Sequence, residues 1–208
     1  MAKPKLALIP ATQGSKLYSV LPADGVGDFD FSRGSAATRI NKDGLIETVA
    51  SGVSRLNYPL IDGVVNGCPS HLLEPSRLQK IQYSEDLTQW STNSNVTITS
   101  NNIIAPNGTQ NADKFEFTGA GVIRPNNSQL TFVNDYAFSI FIKKGNSRYV
   151  TLAARFFTSS LAIGFDLDTE TSESGGLIEK YPNGWYRLSI SNNVTGDADK
   201  TGVFYVYL

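Results

Sequence analysis

The sequence is poor in the residues that most often carry chemistry. Its 208 residues include one cysteine, one histidine, one methionine and two tryptophans. A single cysteine, Cys68, excludes an internal disulfide and fits folding in a reducing cytoplasm. A structural zinc site needs four ligands, which one cysteine and one histidine do not supply. No apolar run approaches the about 20 residues of a membrane helix, and the N-terminal "MAKPKLALIP" lacks the longer apolar region of a signal peptide.

Charge is also scarce, since 18% of the residues are charged and the formal net charge is -1. The net charge therefore does not attract the chain to nucleic acid or to an anionic membrane, and we expect neither nucleic-acid binding nor membrane insertion. The segment "DGVGDFDF" lacks the third glycine and the following helix of a phosphate-binding loop. We predict no cofactor.

What the sequence does have is turn residues and alternating strands. It contains 18 glycines and 9 prolines, with abundant Ser, Thr and Asn. From about Asn93 onward the apolar residues recur with period two. In "YAFSIFIKKG", for example, Tyr136, Phe138, Ile140 and Ile142 share one face. The segments that read as strands are "NVTITSNNII" (a strand followed by a turn), "ADKFEFT", "YAFSIFIKKG", "SRYVTLAARFF", "LAIGFDLD", "GGLIEKY", "WYRLSISNNV" and "GVFYVYL".

This spacing predicts an all-β chain whose C-terminal part is an antiparallel β-sandwich or jelly roll. We place that domain at residues 83–208. Residues 1–82 read as an extended, hairpin-containing segment for attachment or oligomerisation. Asp-Gly marks a tight turn at Asn41–Gly44 and a second turn at Asp62-Gly63. The N-terminal segment has too little periodic apolar surface to fold alone, and a short helical or irregular passage, Pro75–Trp90, joins the two parts.

Few residues suggest catalysis. His71 is adjacent to Ser70 without a nucleophile elbow, and it reads as a loop histidine near a small buried thiol, Cys68. Asp166 and Asp168 share a strand face, which leaves open Ca²⁺ binding or glycoside hydrolysis. A solvated strand face is the favoured interpretation of that pair. We predict a chain that is not an enzyme.

Two aromatic residues are candidate glycan contacts, because a sugar ring stacks on an aromatic face. They are Tyr149 and Trp185. In "NGWYRLSI" alternation places Tyr186, Leu188 and Ile190 in the core. Trp185 then lies on the outer face or at the start of the strand.

Several segments resemble, in order, a set of bacteriophage virion proteins that includes head-fibre, tail-fibre and other appendage proteins. They are "FDFSRGSAATRINKDGLIETV", "GVSRLNYP", "HLLEPSRLQKIQYSEDLTQW", "NIIAPNGTQNADKF" and "NGWYRLSIS", and the resemblance covers about Leu17 to Leu208. Those proteins have an N-terminal attachment segment and a jelly roll that resembles carbohydrate-binding modules. Two departures are "SRLQK", where the family has Asn-Leu, and the absence of its closing strand. The last strand of the sandwich is then missing or supplied by a neighbour.

The resemblance implies a structural protein of the virion, made in the bacterial host cytoplasm. It implies a homo-oligomer, with a trimer favoured, that contacts capsid or tail proteins and displays a sandwich able to contact host surface polysaccharide. The predicted attachment or oligomer contacts are Phe29, Phe31, Arg33, Arg39, Leu72 and Leu73. Arg33 and Arg39 are expected to pair with acids. The alternatives are a carbohydrate-binding module without a virion role and a glycan-degrading spike enzyme.

Overall fold

The computed structural model describes residues 11–13, 16–18, 32–75, 77–126, 130–132, 135–156, 160–192 and 200–208. The chain divides into two units, residues 1–76 and 77–208, whereas the sequence placed the boundary between residues 82 and 83. The all-β, antiparallel prediction is confirmed. Helix in the described residues is limited to two short 3₁₀ segments, Leu87–Gln89 and Pro182–Gly184.

The described residues of the first unit form four small antiparallel pairs of strands. β1 (Ala11–Gln13) pairs with β2 (Lys16–Tyr18), and β3 (Ala37–Ile40) pairs with β4 (Ile46–Val49). β5 (Leu56–Asn57) pairs with β8 (Ser70–His71), and these strands enclose the hairpin of β6 (Leu60–Ile61) and β7 (Val64–Val65). Both predicted Asp-Gly turns are therefore confirmed. Asp62 and Gly63 have φ angles of 49° and 77°, which a two-residue hairpin turn requires.

The second unit contains twelve strands in the described residues, and each of the eight predicted segments overlaps one of them. They are β9 (Ser91–Thr92), β10 (Val96–Ile103), β11 (Ala112–Phe117), β12 (Val122–Arg124), β13 (Leu130–Phe132), β14 (Tyr136–Lys143), β15 (Tyr149–Phe156), β16 (Ser160–Asp166), β17 (Thr171–Ser172), β18 (Gly176–Tyr181), β19 (Trp185–Asn192) and β20 (Lys200–Tyr207).

These strands form a sandwich of two main sheets. The larger sheet has the order β17-β16-β15-β20-β12-β9, with β13 also paired to β20, and the smaller has the order β14-β19-β18. β10 and β11 form a separate pair. β20 is internal, between β15 and β12, and two-residue strands form the outer edges of the larger sheet. That a further strand is missing stays a prediction.

The core lies between the two main sheets. Phe138 from β14 stacks on Phe204 from β20 with ring centroids 4.5 Å apart, and Tyr136 lies against the same ring at 5.5 Å. Alternation predicted this burial correctly on β14 and β19, where Phe138, Leu188 and Ile190 are at most 1% exposed. The two sheets are thus joined by the aromatic and branched side chains that suit a pleated surface.

β10 departs from the expectation. The sequence predicted a strand followed by a turn within "NVTITSNNII", but the strand continues to Ile103 through an irregular step after Thr99. Asn101 has a φ of 51°, and its backbone N–H donates to Asp113 Oδ1 on β11 over 3.0 Å. A bulge therefore absorbs the polar residues that looked like a turn.

Candidate functional site

The β3–β4 hairpin owes its shape to Asn41. Its side-chain Oδ1 accepts hydrogen bonds from the backbone N–H groups of Asp43 (2.9 Å) and Leu45 (3.0 Å). Gly44 has a φ of 79° and donates its N–H to the Asn41 carbonyl. The turn is thus closed by a side chain that imitates backbone, which is why Asn precedes the Asp-Gly pair.

Arg39 is paired within this hairpin. It lies directly opposite Glu47, and its Nε is 2.5 Å from Glu47 Oε1. Asn41 Nδ2 donates to the second oxygen, Oε2, over 3.2 Å. The predicted pairing of Arg39 with an acid is therefore present, and it is formed inside one chain.

Arg33 has no acidic partner in the described residues, so its pairing with an acid across a contact stays a prediction. Its Nε donates to the Ser35 carbonyl (2.7 Å), and its Nη2 donates to the carbonyls of Val49 (3.2 Å) and Ala50 (2.5 Å). In return, the Arg33 carbonyl accepts from Ser51 Oγ and from the N–H of Gly52. A guanidinium has five donors in a fixed fork, so it can satisfy several carbonyls where a strand ends.

A second polar cluster lies where β3, β5 and β8 approach each other. Arg55 Nε donates to the Thr38 carbonyl (2.7 Å), and its Nη1 reaches Glu74 Oε2 at 2.5 Å. Asn57 Oδ1 accepts from the N–H of Ile40 over 2.8 Å. The strand pairs of this unit are therefore connected by side-chain-to-backbone hydrogen bonds more than by a core.

Sequence reasoning missed the partner of His71. Its Nδ1 lies 3.0 Å from Ser54 Oγ, which belongs to a residue 2% exposed and 17 positions away. His71 lies in β8 and not in a loop, and Cys68 is exposed, so the predicted buried thiol is also wrong. Burial, and secondarily the charge of Arg55, lowers the pKa of His71 below its usual 6.5. A serine this distant in sequence carries no local signal.

Large apolar side chains of the first unit remain in solvent. Ile61 and Val64, directly paired beside the Asp62-Gly63 turn, are 57% and 66% exposed. Leu73 is 77% exposed, and Leu72 is half-buried. Phe29 and Phe31 lie outside the described residues. The only buried apolar side chains in the described part of this unit are Val49 and Leu56.

Tyr149 and Trp185, the two candidate glycan contacts, differ in accessibility. Tyr149 is 58% exposed, and the Arg148 guanidinium lies 4.5 Å from the centre of its ring. Trp185 is 6% exposed, and its indole N–H donates to the Ile104 carbonyl over 3.1 Å. Trp185 therefore offers no open ring face to a sugar, because the chain that follows β10 covers the start of β19. Tyr149 stays a predicted contact.

Cations accompany the Asp166 and Asp168 carboxylates. Arg148 Nη2 lies 2.6 Å from Asp166 Oδ2, and Lys144 forms an ion pair with Asp168. Asp166 Oδ1 also accepts from the backbone N–H of Asp168, over 2.9 Å, and of Thr169. These bonds hold the pKa of Asp166 below its usual value against the opposing effect of desolvation. Both acids thus have cationic partners, Lys144 and Arg148, in the segment between β14 and β15.

Within the described ranges, no cluster of three or more His, Cys, Asp or Glu side chains is arranged to hold a metal ion. The same residues contain no helix long and apolar enough to cross a membrane. No protein-family model matches this chain, and no curated protein matches it significantly.

Proposed function

We propose that this chain is a structural component of a bacteriophage virion, a head or tail fibre protein. In this proposal the first unit attaches the protein to the particle and forms the contacts of a homo-oligomer. The sandwich is displayed on the surface of the particle. Two things support it. One is the ordered resemblance of the sequence segments, and the other is the exposure of Ile61, Val64 and Leu73.

That exposure carries the structural part of the proposal. Fully burying a side chain of this size gains roughly 1.5–3 kcal/mol. The described part of this unit buries only Val49 and Leu56, so its fold does not gain the free energy of burying Ile61, Val64 and Leu73. Exposed apolar patches commonly mark interaction surfaces. Ile61 and Val64 stand beside a hairpin turn, a position from which both can enter a partner surface.

The polar contacts of the unit suit the same role. The hydrogen bonds of Arg33, Arg39 and Arg55 stabilise the strand pairs, and the apolar surface of the unit stays exposed. Such a unit presents a defined surface before it meets its partner, so less conformational entropy is lost on docking. A homotrimer would then present three sandwiches together, and weak individual contacts with a polysaccharide would add through avidity.

The direct test uses the full chain with Ile61→Asp, Val64→Asp and Leu73→Asp, singly and together. Light scattering after size exclusion measures the oligomer, and incorporation into phage particles measures attachment. We expect unchanged circular dichroism, since the side chains are exposed, together with loss of the oligomer or of incorporation. Leu177→Asp is the matched control, because Leu177 is 55% exposed but lies on the sandwich strand β18.

The alternatives predict different results. A wild-type chain that is monomeric and absent from particles would contradict the proposal and favour a free carbohydrate-binding module. Release of reducing sugar from host polysaccharide would favour a glycan-degrading enzyme. Equal effects of the substitutions in the two units would also count against attachment through the first unit.

A further inference from the structure

The outer face of β20 carries two adjacent tyrosines. Phe204 and Val206 point into the core, with 3% and 1% exposure, so Tyr205 and Tyr207 point outward. Their rings are stacked, with centroids 5.7 Å apart and an interplanar angle of 21°. Both side chains are half-buried, and neither phenol has a hydrogen-bond partner in the described residues.

Small residues lie beside these rings on the neighbouring strands. On β15, Ala153 lies opposite Tyr205 and Thr151 lies opposite Tyr207. On β16, Ala162 and Gly164 continue the same two rows. Ala153 is 0% exposed, and the Glu173 carboxylate lies over Gly164, whose N–H donates to Oε2 over 2.9 Å.

On the other side of Tyr205 lies a cavity of about 240 Å³. Its walls come from β9, β12 and β20, and its lining residues are Ser91, Thr92, Asn93, Val122, Arg124 and Tyr205. Asn93 is held in place, since its Nδ2 donates to the Ala120 carbonyl over 2.7 Å and its Oδ1 accepts from the N–H of Val122 over 3.4 Å. The cavity is smaller than the roughly 300–1,000 Å³ of sites for drug-sized molecules, so it suits a ligand of monosaccharide size.

Arg124 is the feature that selects the ligand. It is half-buried, yet its guanidinium has no ion pair and no hydrogen bond in the described part of the chain. The other half-buried arginines, Arg33, Arg39, Arg55 and Arg187, all have partners. A half-buried guanidinium without a partner in the described residues is available to an anionic group, which a guanidinium can bind through two parallel hydrogen bonds.

We propose that this cavity binds a sugar unit that carries a negative charge. The acidic group lies on the Arg124 guanidinium, the C–H face of the sugar ring lies against Tyr205, and hydroxyl groups reach Ser91 and Thr92. Aromatic, hydroxyl and amide groups around one small cavity match a pyranose better than they match a purely apolar ligand. This inference rests on the display role of the sandwich in the proposed function, and it places the glycan contact away from Tyr149 and Trp185.

The test is an array of neutral oligosaccharides beside acidic ones that carry either carboxylate or sulfate, probed with the full chain. We expect acidic glycans to be retained, with binding that weakens as salt rises because the contact is ionic. The carboxylate and sulfate arms identify which anion is preferred. Arg124→Gln should lower affinity for the retained glycans by at least about tenfold, since a charge-assisted hydrogen bond is lost. Tyr205→Ala should lower it for neutral and acidic units alike.

One control variant and one comparison locate the site. Arg77→Gln removes the same charge from an exposed position outside the cavity and should leave binding unchanged. Tyr149→Ala measures the contact predicted from the sequence separately from the cavity. The proposal is overturned if the array retains no acidic glycan, if Arg124→Gln binds as the wild type does, or if Tyr149→Ala alone abolishes binding. Incorporation into particles is measured separately, so a failure here leaves the attachment role of the first unit to its own test.

Discussion

Gly176 offers a sharp test of how tightly the sandwich is packed. A Cβ at this position would lie 2.8 Å from Ile163 Cγ2, 2.9 Å from Ser172 Cβ and 3.0 Å from Phe165 Cε1. Ile163 and Phe165 are each 1% exposed, so neither can move aside without disturbing the core. Adding one methyl group to a well-packed core typically costs about 1–3 kcal/mol. We therefore expect Gly176→Ala to lower the free energy of unfolding by an amount in that range.

The assay is urea unfolding followed by circular dichroism, with Gly145→Ala as the control. A Cβ at Gly145 would meet nothing within 4 Å, so that variant should stay within about 0.5 kcal/mol of the wild type. If the two variants have the same stability, or if Gly176→Ala is the more stable one, then Gly176 does not lie against the core as described.

Two further predictions concern the histidine and one of the two tryptophans. Because the pKa of His71 in the folded chain lies below its usual 6.5, the folded state binds fewer protons than the unfolded state between those two values. The contribution of His71 to the free energy of unfolding is therefore full above about pH 6.5 and is lost as the pH falls toward the pKa of the folded state. An NMR titration of this histidine with a midpoint at or above 6.5 would contradict this prediction. Trp185→Phe removes the indole N–H that reaches the Ile104 carbonyl, and it should lower the free energy of unfolding by about 0.5–1.5 kcal/mol. Glycan binding should be unchanged in that variant, and loss of binding at unchanged stability would restore Trp185 as a contact.

Local sequence signals predicted local structure well. Asp-Gly pairs located both hairpin turns, because only a few residue types accept left-handed backbone angles. Period-two alternation identified the inward residues of β14 and β19, because a buried face requires apolar side chains at every second position. The same rule separates Phe204 and Val206 from Tyr205 and Tyr207 on β20.

What the sequence could not predict depends on residues far apart along the chain. Ser54 contacts His71 because β5 pairs with β8, and the sequence near either residue contains no signal that predicts this contact. Alternation placed Trp185 on the outer face or at the start of its strand, but it is 6% exposed and its indole N–H donates to the carbonyl of Ile104, 81 positions earlier. The cavity beside Arg124 likewise requires β9, β12 and β20 together, and β12 is too short to show a pattern of its own.

The internal position of β20 has a consequence for folding. β12 and β9 join the rest of the larger sheet through β20 alone, although β12 precedes it by more than 70 positions, from Arg124 to Lys200. Closing so long a loop is entropically costly, and contacts of this separation slow folding. Until residues 200–207 have left the ribosome, the surfaces of β12 and β15 that will flank β20 remain open. The sandwich is therefore expected to form late and all at once, and a chaperone that shields the sheet in the interval would raise its yield.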